Sequence, residues 1–455
     1  MGTRTTRITY GQCLVLGSPR PADQSNIVNL TGIKRLQSAN TSFAFARERF
    51  KQIGSPDYVG DVNVTNPQIT LGMDYYYSNG TNEVLLGLNV NGAKGAALSG
   101  LRRPNQDNNF YLLIGSGLKD EVLLTAADTD FKDNFSVMGL GNCFLNSYSI
   151  NGSVGSVVSV NTSVQADNMQ LQAYHDSTDG ELIPAIDSAT QLPSASNKYK
   201  IKKSFFQDTT NQDGLIDSAL APSGIKLTLP SNVNVPGLEF TGDGRSAFIN
   251  SFGLEFSIER NALYGFGSIY PYGRRAVLPV LGTLAFSAVA SEFQFGGLNE
   301  LVRLDENNER SYDFEIVLLG TKGNTGLQIE IEGARMDSEG FSQSIGDFGS
   351  MEAAFSFSMS DTSGLKISTP PLILNQPATA ASAGATLSVA ATGRTSSDTS
   401  VYSADGFKYQ WYKNGATFGS NQPSVATSDP AGPDSYYVVV FNELGTATSN
   451  SCTVT

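Results

Sequence analysis

The chain has 455 residues, of which 40% are hydrophobic and only 16% charged, and its formal net charge is −13. Low charge with abundant Gly, Ser and Thr points to an all-β protein, and the length allows roughly three domains of ordinary size. Residues 371–455 hold three basic and five acidic side chains, so −11 of the charge lies before them, the opposite of the basic stripe that a nucleic-acid-coating protein carries.

The chain opens Met-Gly-Thr-Arg-Thr-Thr with no apolar stretch behind it, unlike a secretory signal, and its match to the acylation pattern Met-Gly-x-x-x-Thr is short enough to arise by chance. Residues 13–16 read as an opening strand. Residues 41–77 alternate as strands do, with Phe43 and Phe45, then Ile69, Leu71, Met73 and Tyr75, expected on one face. Residues 47–61 break the alternation with Gly54, Pro56 and Gly60, which predicts an extended arm or long hairpin. A short helix is expected over 82–88, where Asn82 can cap and Glu83 suits the first turn. Further strands are expected near 110–115, 136–142 and 147–164.

Residues 169–222 are rich in Asp, Ser, Thr, Asn and Pro and read as a long surface connection. The single histidine, His175, lies there without a nucleophile elbow, a cysteine or a paired acid to orient it, which suits a solvated side chain better than a catalyst. The stretch from Asp208 to Gly214 has the look of a calcium loop. Placing Asn211, Asp213 and Gly214 at ligand positions three, five and six, however, leaves Thr209 and Leu220 where Asp and Glu belong, so an Asp-Gly turn is the expected reading rather than bound calcium near Asn211 to Asp213.

Beyond the connection the chain repeats itself. A gapless shift of 213 residues, the distance from Arg47 to Arg260, lays Phe43, Gly54, Ser55, Gly60, Val64, Thr70 and Leu71 on Phe256, Gly267, Ser268, Gly273, Val277, Thr283 and Leu284. Gly11, Leu14 and Leu16 likewise fall on Gly224, Leu227 and Leu229. Later, Asn82-Glu83 corresponds to Asn299-Glu300 and Ser153-Val154-Gly155 to Ser344-Ile345-Gly346. A period this long exceeds the roughly 20–50 residues of solenoid repeats and predicts two similar folded units in tandem. The second arm is expected over 260–274, a second short helix over 299–304, and strands near 313–320, 326–333 and 341–359.

Ser368-Thr369-Pro370-Pro371 closes the repeat. In the segment that follows, Leu387, Val389 and Ala391 alternate inward, residues 409–415 form a strand ending in an Asn-Gly turn, and Tyr436, Val438 and Val440 alternate before a hairpin at 442–445. This last fifth resembles an immunoglobulin-like sandwich: Trp411, the single tryptophan, takes the place of the core Trp and Tyr436 that of the corner tyrosine, while Val389 and Val438 stand where the family's disulfide would be.

Signals for chemistry are weak. Cys13, Cys143 and Cys452 lie far apart with no metal-ligand spacing and read as reduced, packed thiols. The longest apolar run, 276–290, contains Pro279 and is shorter than the ~20 residues of a membrane-spanning helix, so a soluble protein without membrane insertion is expected. The Gly-rich pieces 92–100 and 265–267 lack a phosphate-loop pattern and read as loops. Arg35, Arg47, Arg49 and Lys51, and separately Arg274 and Arg275, are basic groups on or near the arms of an acidic body, placed to reach a neighbouring copy. Tyr75, Tyr76 and Tyr77, and Tyr264, Tyr270 and Tyr272, read as sheet and interface packing. No catalytic, cofactor or metal site is expected, and the chain is read as a non-enzyme.

The order of these parts resembles a long-tailed phage major tail tube protein of the fused type. The residues that carry the likeness are the opening strands at 13–16 and 225–229, the strand, arm and strand units at 43–75 and 256–288, and the helices beginning at Asn82 and Asn299. The resemblance implies two tandem tube-like β-barrel or sandwich domains, each with a short helix, at 1–168 and 223–369, an extended connector at 169–222, and an immunoglobulin-like domain at 370–455. It implies self-association into trimeric, pseudo-sixfold rings stacked as a tube, contacts with other tail proteins (tape measure, terminator, distal tail), and passage of double-stranded DNA without specific binding or a cofactor. Location in the virion after assembly in the host cytoplasm follows, with the last domain decorating the outside and touching the host surface weakly. An acidic lumen would keep DNA mobile, since a basic wall binds it through counterion release. A surface carbohydrate-binding adhesin, a glycoside hydrolase on β-domains, or another phage structural protein of the baseplate or capsid-decorating kind stay open as alternatives.

Overall fold

In the computed structural model the described residues are 9–17, 28–29, 31–63, 68–77, 80–92, 97–102, 108–116, 135–173, 182–186, 193–200, 225–228, 249–266, 271, 273–289, 311–319, 325–346, 348–360, 363–371, 373–391, 407–427, 433–442 and 444–455. His175, the 208–214 stretch and the expected second helix at 299–304 lie outside them. The protein is all-β: α1 (Thr81–Leu85) and one 3-10 turn are the only helical elements among the described residues.

The first half comprises β1 (Thr9–Gly17), the two-residue β2 (Val28–Asn29) and β3 (Thr31–Gly32), then β4 (Leu36–Ala44), β5 (Arg47–Lys51), β6 (Tyr58–Asn63) and β7 (Gln68–Tyr76). After α1 come β8 (Asn108–Ser116), the long β9 (Phe135–Ser153), β10 (Ser159–Ala166) and β11 (Asn168–Ala173). Strands β12 (Leu182–Ile186) and β13 (Pro193–Lys200) join β2 in a small three-stranded sheet. The polar stretch after 169 was expected to be a long surface connection. It holds most of β11 and both of these strands, because ladder hydrogen bonds come from the backbone and do not require apolar side chains.

The second half comprises β14 (Ile225–Thr228), β15 (Ile249–Ser257), β16 (Arg260–Leu263), β17 (Gly273–Ala276), β18 (Val280–Val289), β19 (Tyr312–Leu319), β20 (Thr325–Ser342), β21 (Ser350–Met359) and β22 (Leu365–Ser368). Its wiring copies the first. In the first half the order is β4-β7-β10-β9, with the N-terminal part of β9 also paired to β8 and β11, and β1 outside β8. In the second it is β15-β18-β21-β20, with the N-terminal part of β20 paired to β19 and β22, and β14 outside β19. The shift of 213 maps β4 onto β15 end to end. Insertions then shorten it: Phe110 corresponds to Phe314 and Gly155 to Gly346, so β9 and β10 map onto β20 and β21 with a shift of 191. The correspondence extends to backbone detail. Asn142 (φ 54) and Gly333 (φ 71) both take the left-handed conformation, where Asn and Gly are the tolerated residues. Their amides bond the equivalent carboxamide of Asn109 (3.2 Å) and carboxylate of Asp313 (2.8 Å).

The two halves share one 15-stranded sheet and one apolar core. Of the two expected forms, barrel or sandwich, the open one is seen: the sheet does not close on itself among the described residues. The arms are hairpins, β5 with β6 and β16 with β17. Residues 373–455 have a separate core of Leu387, Val389, Trp411, Tyr436, Val438, Val440 and Cys452. There Trp411 and Val438 are paired on adjacent strands, and Asn414 (φ 48) with Gly415 (φ 81) makes the tight turn expected of Asn-Gly. Cys143 and Cys452 are free and buried, as packed thiols should be.

Candidate assembly interface

The junction between the halves is a strand pair. β15 lies antiparallel against the C-terminal part of β9, from Ser251 opposite Ser153 to Ser257 opposite Ser147, so the sheet of one half runs into that of the other. On the core side Phe256 stacks on Tyr148 at 5.5 Å between ring centroids, and Leu254 and Ile150 are both buried. Gly152 faces Phe252 so closely that an added Cβ would lie 2.4 Å from the ring, which leaves glycine as the residue that fits. Beyond the ladder, the Ile258 amide bonds the Asn146 carbonyl at 2.7 Å and the Val154 amide bonds the Asn250 carbonyl at 2.9 Å.

The second arm clamps the same junction. Arg260 donates to the Leu145 carbonyl, Arg274 forms a buried ion pair with Asp167, and both guanidinium groups sit 5.5 Å from the centre of the Phe144 ring. Burial, then the neighbouring Arg274 charge, pulls Arg260 down to about 10. The basic arms were expected to reach a neighbouring copy of the molecule; in the single chain the second arm reaches the other half instead, through Asp167 and the Leu145 carbonyl.

Beneath Tyr148 lies α1. Its expected cap is not made: Gly80, in the left-handed conformation, holds the N-cap position, and Asn82 instead bonds both backbone groups of Lys34, at 2.8 and 3.0 Å. Glu83 is 1% exposed and accepts from the hydroxyls of Tyr75 (2.9 Å) and Tyr148 (3.3 Å). Burial raises its carboxyl to about 6, against the lowering effect of these hydrogen bonds. Burial and the nearby Glu83 raise the hydroxyls of Tyr75, Tyr77 and Tyr148 well above the usual phenol range.

The opposite face of the sheet is polar. Along it run Asn161, Ser163, Ser149, Asn151, Ser251, Gly253, Thr283, Ser287 and Ala354, and a trough of about 940 Å³ crosses the junction. Its strand positions carry Asp74, Glu255 and Glu352, with Asp337 at a bulge, against Arg335 at the arm end. At these positions the face is therefore hydroxyl-rich and net acidic.

The sheet ends on two exposed edges. Among the described residues β4 pairs only with β7, and residues 335–342 of β20 only with β21. Phe43 and Phe45, expected on one face with Ile69, Leu71, Met73 and Tyr75, are 57% and 47% exposed, while those four are buried. At the far edge Phe341 is 47% exposed, and Ile345 beside it is fully so. The first arm is exposed along its whole length, with Arg47 facing Asp61 at 3.6 Å and Arg49 and Lys51 over Tyr58. Of the tyrosines, Tyr75 and Tyr77 are buried and Tyr76 is 38% exposed. Trp411 is fully buried, its indole N–H donating to the Gln422 carbonyl, and so offers no sugar platform. Among the described residues no group of three or more His, Cys, Asp or Glu could hold a metal ion, and no helix is long and apolar enough to cross a membrane.

No protein-family model and no curated protein matches the chain. Among solved structures it is similar to a chain of the anti-feeding prophage (AFP) baseplate, at 12% identity over 38% of this chain and 99% of that one, with a TM-score of 0.24. A chain from the virion of a native gene transfer agent particle is similar at 13% identity over 33% and 98%, TM-score 0.20. The N-terminal Ig1-2 module of the Drosophila receptor protein tyrosine phosphatase DLAR is similar at 14% identity over 31% and 88%, TM-score 0.14. Likenesses this low define neither the fold nor the role of the chain.

Proposed function

We propose that the chain is a structural, non-catalytic subunit of a phage tail tube, three copies of which close a ring of six similar units that stacks into a conduit for DNA. The observation that carries this reading is the internal junction: two sibling halves continue one sheet edge to edge, and the joined sheet ends on two open edges of the same kinds that meet inside it. A contact that repeats with a fixed rotation either closes a ring or winds a filament, and open apolar edges favour pairing over exposure. The net acidic, hydroxyl-rich face supports a lumen that repels the duplex and does not bind it through release of the DNA's counterions. Stacking through the arms and hairpin tips would then extend rings into a tube that other tail proteins terminate. The last domain, with its own core, decorates the exterior. Electron microscopy of the purified protein tests this: uniform hollow rings or tubes are expected, and dispersed single chains at high concentration would refute it.

A further inference from the structure

The internal repeat specifies how a second copy docks. We infer that β4 of one copy pairs antiparallel with residues 338–344 of another in a single register, and that Asp61 against Arg335 is the charged contact that selects this junction. This inference rests on the tube reading and adds to it the partner strand, the register and the determinants.

The register follows from the junction inside the chain. Subtracting 213 from β15 and adding 191 to β9 turns Ser251 opposite Ser153 into Ser38 opposite Ser344, Gly253 opposite Asn151 into Asn40 opposite Ser342, and Phe256 opposite Tyr148 into Phe43 opposite Glu339. The bulge at Asn146 maps onto that at Asp337, so the Phe45 amide meets the Asp337 carbonyl as Ile258 meets Asn146.

Side-chain volumes at the mapped positions compensate. Phe252 over Gly152 becomes Ala39 opposite Gln343, and Gly253 against Asn151 becomes Asn40 opposite Ser342, so bulk changes sides in both pairs without crowding the ladder. Charge compensates too. Inside the chain two arginines of the arm rest on Phe144. At the mapped junction Arg47 stands for Arg260, Asp61 for Arg274, and Arg335 for Phe144. Arg47 is then aimed at the Met336 carbonyl and the Asp61 carboxylate at Arg335. With Asp167 lost as the arm's acidic partner, the arm supplies the acid and the sheet the base. The two junctions are thus distinct: one apolar and clamped by buried arginines, the other polar at its rim, with Glu339 where the first has Tyr148. The covered β9 and β15 edges leave only unlike halves to pair, and the charges agree with that choice, because a like-with-like pairing would set Asp61 against Phe144 or Arg274 against Arg335.

The test uses the full chain. Asn40→Cys with Ser342→Cys, treated with a short bifunctional thiol reagent, is expected to give covalent dimers and trimers and nothing larger, and either single variant to give none. Arg335→Asp is expected to lose at least nine-tenths of the assembled material while its unassembled form keeps the wild-type circular dichroism and melting midpoint, and adding Asp61→Arg is expected to restore assembly. If wild-type rings form but the paired cysteines stay unlinked, or Arg335→Asp assembles normally, or the double variant stays dispersed, the inference falls and the tube reading stands. If the wild type never assembles, both fall.

Discussion

Phe256 and Phe43 hold equivalent places in two sibling halves, yet the first is 4% exposed and the second 57%. The same contrast separates Ile258 from Phe45, at 2% and 47%, and the half-buried second arm from the fully exposed first. Nothing in the local sequence sets these pairs apart; what differs is whether a neighbouring strand is present. An edge strand with an unsatisfied ladder and a row of exposed aromatics is a liability to a free-standing protein and an asset to one that tiles.

The comparison can be broken first at its apolar centre. Phe256→Ala should destabilise the isolated chain by about 3–5 kcal/mol, the usual range for a core aromatic, whereas Phe43→Ala should change it by less than about 0.5 kcal/mol and act only on assembly. Equal effects in urea unfolding would mean that Phe43 is as well covered in the single chain as Phe256, which the comparison denies. Next comes the clamp. Arg274→Ala removes the buried cationic partner of Asp167, and a loss of about 3 kcal/mol is expected, while Asp61→Ala on the exposed arm should cost under about 1 kcal/mol.

A smaller effect sharpens the contrast under the junction. Glu83 has its folded value raised to about 6, so the stability it brings as a neutral acid is fully present below the ordinary carboxyl value near 4.5 and is lost as pH rises through 6. The shift corresponds to about 2 kcal/mol. Glu83→Gln keeps an acceptor for Tyr75 and Tyr148, and should raise the melting midpoint at pH 8 while leaving it nearly unchanged at pH 4.5. A variant that melts below wild type at pH 8 would show that the charged form is the stabilising one. Smallest of all, raising salt from 0.05 to 0.5 M should weaken assembly through the Asp61 and Arg335 contact without moving the melting midpoint of the single chain, since screening acts on exposed charges.

Much of this architecture was legible in the residues. The shift of 213 anticipated that β4 and β7 recur as β15 and β18, and the small motif at Ser153 recurring at Ser344 marked the second, shorter shift. The Asn414-Gly415 turn and the inward row at Leu387, Val389 and Ala391 follow from local rules alone. What stayed hidden is non-local. Alternation placed Phe43 and Phe45 on one face but could not say whether that face would be covered. The pair of Arg274 with Asp167 spans 107 residues, and no spacing rule reaches so far. Asn82 looked like a helix cap and serves a distant backbone, because Gly80 already turns the chain into the helix. β11 and β13 were hidden by polar side chains, since a ladder needs backbone partners rather than an apolar face, and the apolar β12 by its five-residue length and Pro184.

The most direct measurement is a cryo-electron-microscopy reconstruction of the assembled wild-type protein. Tiling through equivalent junctions predicts rings of three chains with near-sixfold symmetry, β4 of each copy continuing β20 of the next, and Asp74, Glu255 and Glu352 facing the lumen. Rings in which β4 and Phe43 remain open to solvent, or a reconstruction with the acidic face turned outward, would contradict it.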